Sequence, residues 1–213
     1  MTVPETGSGT DLAAWLERLE GLHPTVIDLG LDRVRRVHGR LGAPRPGDRV
    51  VTVAGTNGKG STVATLDALL RAHGYRIGQT TSPHLLRFNE RIVLDDREFA
   101  DADIIAAFER IEAARTAEPA VSLTYFEFGI LAALDLLARG APELAILEVG
   151  LGGRLDAVNI IDADLAVITA VDLDHQSWLG DDRETIGAEK AGILRPGRPV
   201  VIGDRDPPGS VTA

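Results

Sequence analysis

Lys59 sits inside a glycine loop, Gly55-Thr56-Asn57-Gly58-Lys59-Gly60-Ser61. Before it, Val50 to Val53 form a β-branched run that reads as a buried strand. After it, Thr62, Val63, Leu66, Leu69 and Leu70 recur at helical spacing. Strand, glycine loop and helix together make a phosphate cradle. The glycines let backbone N–H groups turn toward one anion, the helix adds the positive end of its dipole, and lysine adds a full charge. The strict phosphate-loop pattern would have glycine in place of Val53 and serine or threonine in place of Gly60. The competing reading is a glycine-rich turn that carries one solvated lysine.

Other polar groups stand where apolar runs end. Glu148 interrupts the apolar run Leu144 to Val149, and a carboxylate there calls for a cation or phosphate chemistry nearby. Ser82 and His84 follow the strand-like run Tyr75 to Thr80, and Asp172, Asp174 and His175 follow Ala163 to Thr169. On residue type alone, Ser82 is a turn residue before Pro83, His175 is a loop histidine, and Lys190 is a lysine paired with Glu189 or Glu184. Arg154 and Asp156 form either a structural ion pair or a substrate contact, while His84 and Arg87 carry chemistry suited to anions. His23, His38 and His73 read as surface or packing histidines, and by periodicity Tyr125, Phe126 and Phe128 read as helix packing.

The elements that must position these groups follow from hydrophobic spacing. Asp11 caps a helix with Leu12, Trp15, Leu16 and Leu19 on one face, closed by Gly21. A second helix carries Val34, Val37 and Leu41. Gly74 caps the helix that follows the glycine loop. Ile92 to Leu94 is a short strand, and Asp95-Asp96 is a turn. Helices are expected from about Asp101 to Ala114 and from Tyr125 to Leu137, a short one within 181–194, and a last strand at Pro199 to Ile202. Residues 1–10 and 207–213 read as polar tails around a domain spanning 11–206, with no helix or strand signal past Asp204. Strands alternating with helices, several of them fully apolar, predict an α/β fold: a mostly parallel sheet covered by helices on both faces. Ligands in such sheets sit at the carboxyl ends of strands, where four strand ends here carry polar groups.

Composition narrows the function classes. The chain has 213 residues, 44% hydrophobic and 25% charged, enough for a sizeable core. A net charge of −10 argues against broad nucleic-acid or membrane-surface binding, though not against an anionic nucleotide held locally with Mg²⁺. There is no cysteine, hence no disulfide framework or thiolate metal site, which suits a reducing cytosol. No apolar run approaches membrane-spanning length.

The segments Gly-Thr-Asn-Gly-Lys-Gly-Ser-Thr (55–62), Thr-Ser-Pro-His-Leu (81–85) with Glu90-Arg91-Ile92, Leu-Glu-Val-Gly-Leu-Gly-Gly-Arg-Leu-Asp-Ala (147–157), Asp174-His175 and Glu-Lys-Ala-Gly-Ile (189–193) occur in this order. The set resembles bacterial folylpolyglutamate synthase, often bifunctional with dihydrofolate synthase, an ATP-dependent amide ligase related to the Mur cell-wall ligases. The resemblance covers roughly Asp11 to Asp206. It implies a Mur ligase-like, phosphate-loop ATPase domain, in a cytoplasmic and monomeric enzyme. The substrates would be ATP, L-glutamate, and dihydropteroate or a folate.

Residue by residue, it implies that Asn57, Gly58, Lys59, Gly60, Ser61 and Thr62 bind ATP, with Asn57 to Thr62 offering backbone donors to its phosphates. It implies that Ser82 and Glu148 hold a first Mg²⁺, that His175 holds a second with Lys190 once carbamylated by CO₂, and that Asp174 supports them. It also implies that Gly30, Leu31, Asp32, Thr124, Tyr125, Phe126, Glu127, Leu155, Asp156 and Ala157 contact the pterin. The family's proteins continue into a second sheet portion and a C-terminal glutamate-ligase domain. Set beside them, this chain is expected to be an N-terminal portion whose sheet stops before completion. Two other readings stand beside the folate ligase: a nucleotide-binding module without catalysis, and a Mur-type ligase acting on a cell-wall nucleotide.

Overall fold

In the computed structural model, which describes residues 11–212, the β-branched run at 50–53 lies at the centre of a seven-stranded sheet. The tail expected over residues 1–10 lies outside the described residues. The strands are β1 (Arg49–Ala54), β2 (Ile77–Thr80), β3 (Ile92–Leu94), β4 (Arg97–Glu98), β5 (Leu144–Glu148), β6 (Leu165–Ile168) and β7 (Val200–Ile202). Their spatial order is β4-β3-β2-β5-β1-β6-β7. Five of them, from β2 across to β7, are parallel, while β3 and β4 run antiparallel at one edge. The turn joining β3 to β4 has both Asp95 and Asp96 at positive φ, +50° and +65°, which aspartate tolerates better than most residues.

The helices are α1 (Leu12–Glu20), α2 (Asp32–Arg40), α3 (Lys59–Ala72), α4 (Asp101–Thr116), α5 (Tyr125–Gly140), α6 (Gln176–Leu179), α7 (Arg183–Ala191) and α8 (Gly209–Thr212). Short 3-10 turns at Phe88–Arg91 and Ala157–Ile160 lie in segments that periodicity cannot resolve. Alternation along β1 splits the interior in two. Val50 and Ala54 face the larger cluster, built with α1, α2, α4 and α5, where Phe108 and Phe128 meet edge to face at 5.4 Å and Trp15 lies 5.7 Å from Phe108. Val51 and Val53 face the opposite way, packing with Ile77, Ile146 and Val167 under Val63, Leu66 and Leu70 of α3. Helix α5 is buried without a break from Glu127 to Leu137, and its one interior acid beyond the first turn, Asp135, is paired with Arg110 and Arg139.

Capping agrees with the sequence. Asp11 accepts from Ala14 N–H at 2.8 Å, and Gly74 adopts a left-handed φ of +89° after α3. Two departures have causes far along the chain. Strand β2 starts at Ile77 rather than Tyr75, because the Arg76 N–H donates to the Glu143 carboxylate (2.9 Å) instead of joining a ladder. The reading of 207–213 as a tail also fails over residues 209–212, which form α8, docked on α7. The Glu184 carboxylate accepts from Gly209 and Ser210 N–H (2.9 and 2.8 Å), capping the helix from a distant part of the chain, and Val211 is buried. A four-residue helix held by a long-range cap leaves no periodic trace in sequence.

Candidate functional site

The register of the central strands decides where chemistry can gather. Val53 lies beside Glu148 and Ala54 beside Ile168, so the loops after β1, β5 and β6 open on one rim. The loop after β1 is tied to the loop after β6 by a backbone bond, Thr56 N–H to the Ala170 carbonyl (2.8 Å), and by two side chains. The Thr169 hydroxyl donates to the Asn57 carbonyl (2.6 Å), and the Thr56 hydroxyl donates to the Asp172 carbonyl (3.0 Å) while accepting from the Asp172 N–H (3.0 Å). Gly55 is required by this closeness: its φ is +150°, and a Cβ there would lie 1.8 Å from the Thr169 hydroxyl oxygen.

Lys59 is the first residue of α3, after Gly58 at φ +82°. Its ammonium donates to the carbonyls of Gly55 (2.9 Å) and Thr56 (3.3 Å), curled over its own loop. The Thr62 N–H donates to Gly58 O (3.0 Å), and so does its hydroxyl (2.8 Å). The amides of the first turn, at Lys59, Gly60 and Ser61, precede that first helical bond and stand at the positive helix end.

Glu148 closes β5 beneath this loop and is only 5% exposed. One carboxylate oxygen accepts from the Ser82 N–H at 3.0 Å, while the other has no hydrogen-bond partner among the described residues. Burial pushes its pKa up, against the Ser82 bond and the charge of Lys59. Gly60 leaves room in front of it, since a Cβ there would lie 3.8 Å from the nearer carboxylate oxygen. Among the described residues no group of three or more His, Asp or Glu side chains is placed to hold an ion alone. One buried carboxylate beside a serine fits Mg²⁺, which commonly takes one or two protein oxygens and completes its shell with water and phosphate.

Lys190, on α7, is 3% exposed, and the expected pairing with Glu189 or Glu184 is not made. Glu189 pairs with Arg154 (2.8 Å), and Glu184 caps α8. Burial pushes the Lys190 ammonium down to about 8, helped by the like charge of Lys59 and opposed by Asp174. His175 stands at φ +49° as the cap of α6, with its ring exposed and 3.6 Å from the Asp174 carboxylate.

Beside this rim opens a cavity of about 700 Å³. Gly30, Thr124, Tyr125, Phe126, Glu127, Leu155, Asp156 and Ala157 line it together with Ser82 and His175. Leu31 and Asp32 are not among its lining residues: Leu31 is buried at the start of α2, and Asp32 opens that helix. The aromatic run at 125–128 divides. Phe128 is core, while Tyr125 and Phe126 face the cavity. The far edge of the Phe126 ring abuts Gly150, where a Cβ would lie 2.5 Å from Cζ and 2.7 Å from Cε2. Arg154 and Asp156 do not pair. Asp156 instead accepts from the N–H groups of Gly150 (3.0 Å), Leu151 (2.8 Å) and Val158 (3.0 Å), and burial pushes it up to about 6 against those bonds. It shapes the loop that braces Phe126.

Dihydrofolate synthase/folylpolyglutamate synthase of Escherichia coli K12 is 50% identical over 204 residues, covering 96% of this chain and 48% of that protein. The structure of E. coli FolC in complex with DHPP and ADP superposes with a TM-score of 0.92 at 50% identity, over 99% of this chain and 50% of that one. The bifunctional enzyme solved with Mn, AMPPNP and L-glutamate gives a TM-score of 0.88 at 51% identity, over 99% and 50%. The chain is homologous to the N-terminal ATPase domain of bacterial folylpolyglutamate synthase/dihydrofolate synthase. It spans about half the length of the relatives it matches. No family model matches it. The fold is the Mur ligase-like ATPase fold, with its sheet left open.

Beside these homologues, the composition holds a signal that motif reading passes over. Of 22 lysines and arginines only two are lysines, Lys59 and Lys190, and both stand at this rim. Among the described residues no ion pair uses lysine: arginine, and at two places histidine, supplies the cation, so both lysines are left for the rim, where a compact or titratable cation can serve. Motif reading also misses His23, which lines the cavity and bridges Ser122 (2.7 Å) and Asp28 (3.1 Å). His38 is buried against the Pro44 carbonyl, as a packing histidine should be.

Proposed function

We propose that this chain is the nucleotide- and pterin-holding part of an ATP-dependent amide ligase of the folate pathway. The reaction joins L-glutamate to dihydropteroate, to folylpolyglutamate, or to both. The observation that carries this reading is one cavity in which Phe126 and Leu155 face the same space as Ser82 and His175, beside the Lys59 loop. The substrate carboxylate attacks the γ-phosphorus of ATP in line, an acyl phosphate forms and ADP leaves, and the glutamate amine then displaces phosphate. Lys59 and the amides of Lys59, Gly60 and Ser61 hold phosphate oxygens. Phe126 lines the cavity with its ring edge held against Gly150 and would stack on the pterin. Ser82 and Glu148 would hold a first Mg²⁺, and His175 with carbamylated Lys190 a second. Bound Mg²⁺ would neutralise phosphate charge. The setting proposed is a cytoplasmic monomer; among the described residues no helix is long and apolar enough to cross a membrane.

Calorimetric titration with ADP tests the reading. Affinity is expected to rise with Mg²⁺, and Glu148→Gln to remove that rise while leaving metal-free binding in place. A Mg²⁺ dependence that survives Glu148→Gln would reject the metal assignment. A second reading is nucleotide binding without ligation. Binding of ADP without glutamate incorporation would select it.

Carbamylation needs a neutral amine, and Lys190 meets that need at about pH 8. Its folded pKa lies below the ordinary 10.5, so the cost of burying the ammonium is present below pH 8 and is relieved as pH rises from about 8 toward 10.5. Nitrogen NMR of protein labelled at its two lysines should show Lys190 half-protonated near pH 8. A midpoint at the ordinary lysine value would refute the depressed pKa.

A further inference from the structure

Arg91 closes one side of the cavity, and its backbone carbonyl accepts from Thr81 N–H (3.0 Å), next to Ser82. Its guanidinium is fixed in place. Nε donates to His84 Nδ1 at 2.8 Å, and the guanidinium carbon lies 5.4 and 5.5 Å from the ring centres of Phe88 and Tyr125. Burial and the Arg91 charge hold His84 below its ordinary value, so the imidazole is neutral and accepts at Nδ1. No carboxylate pairs with Arg91 among the described residues. The neighbouring Glu90 accepts from the N–H groups of Leu85, Leu86 and Arg87 (2.7 to 2.8 Å), and Glu20, exposed at the rim, makes no ion pair with Arg91. The other cavity acids are engaged: Arg33 donates to both Asp28 and Glu127, and Asp156 holds its three amides. Among the described residues two cavity charges are thus unpaired: Glu20, which is exposed to solvent, and Arg91, which is half-buried and oriented with its outer guanidinium nitrogens unbonded. That combination suits a planar anion taken by two parallel hydrogen bonds.

We infer that Arg91 receives the carboxylate of an aryl carboxylate substrate, setting its reacting end beside Ser82 while the fused ring lies toward Phe126. The inference rests on the pterin-ligase reading and adds a residue and an orientation to it. The test is equilibrium binding of two probes, pteroic acid and its primary carboxamide, to the wild-type chain and to Arg91→Gln and Arg91→Lys, with ADP titrated in parallel. Wild type should prefer the acid by about tenfold to a hundredfold, the range of a charge-assisted pair. Arg91→Gln should bring acid and carboxamide to equal affinity without changing ADP binding. Arg91→Lys, which keeps the charge but not the fork, should narrow the preference by at least about threefold while folding as the wild type does. An acid-to-carboxamide ratio unmoved by either substitution would overturn the role of Arg91 and leave the pterin reading standing. Failure of the wild type to bind either probe would remove the pterin reading and this inference with it.

Discussion

Replacing Lys59 with alanine is expected to lower ADP affinity by roughly a hundredfold, the loss of a charge-assisted contact to phosphate. The cause is local. The ammonium supplies the full charge at the head of α3, where the other groups are backbone amides. Among the described residues it is bonded only to the carbonyls of Gly55 and Thr56, contacts that a phosphate oxygen can replace. Folding should barely respond, because those two bonds join neighbouring parts of one loop and the side chain is half exposed. Titration calorimetry with ADP beside thermal unfolding separates the two effects. Wild-type affinity in Lys59→Ala would dismiss the phosphate-loop assignment, and a collapse of Tm would show that the lysine is structural.

The opposite pattern is expected of Gly55→Ala. A methyl group there would overlap the Thr169 hydroxyl at 1.8 Å, at a φ of +150° that L-residues rarely adopt. The loop cannot retreat easily, since the same hydroxyl holds the Asn57 carbonyl and Thr56 is clasped to Asp172. Strain and clash together should cost about 3 kcal/mol or more, with nucleotide binding lost along with the loop. Urea unfolding measures it. Adding Thr169→Ala should recover part of the loss by removing the overlap and leave the part due to φ. Full recovery would mean that backbone strain contributes nothing, and a single variant as stable as wild type would show the loop to be loose.

These two residues mark what could be read from sequence and what could not. Lys59 and its loop announce themselves, because strand, glycines and helix are contiguous in the chain. So do the sheet class, the cap at Asp11 and the buried Glu148, whose strand is apolar on both sides of it. Partners far apart in the chain are not legible in the same way. The pairing of Arg154 with Glu189, rather than with Asp156 two residues away, depends on α7 lying over the loop after β5, and no local pattern records that. The same holds for the α8 cap from Glu184, for His23 meeting Ser122, and for the aromatic slot around Arg91. The aromatic run from Tyr125 to Phe128 was ambiguous for a different reason: one helical turn presents both core and cavity faces, so adjacent residues differ in role.

The two borders of the sheet differ in what they offer a further strand. At one border β4 is two residues long and bears Arg97 and Glu98, both exposed and charged, a poor template for another strand. At the other, β7 bonds only to β6 among the described residues, and Val200 and Val201 are 43% and 52% exposed. Among the described residues the sheet can therefore grow in one direction only: a strand laid beside β7 finds an open backbone ladder and apolar side chains, while the charged two-residue border at β4 turns one away.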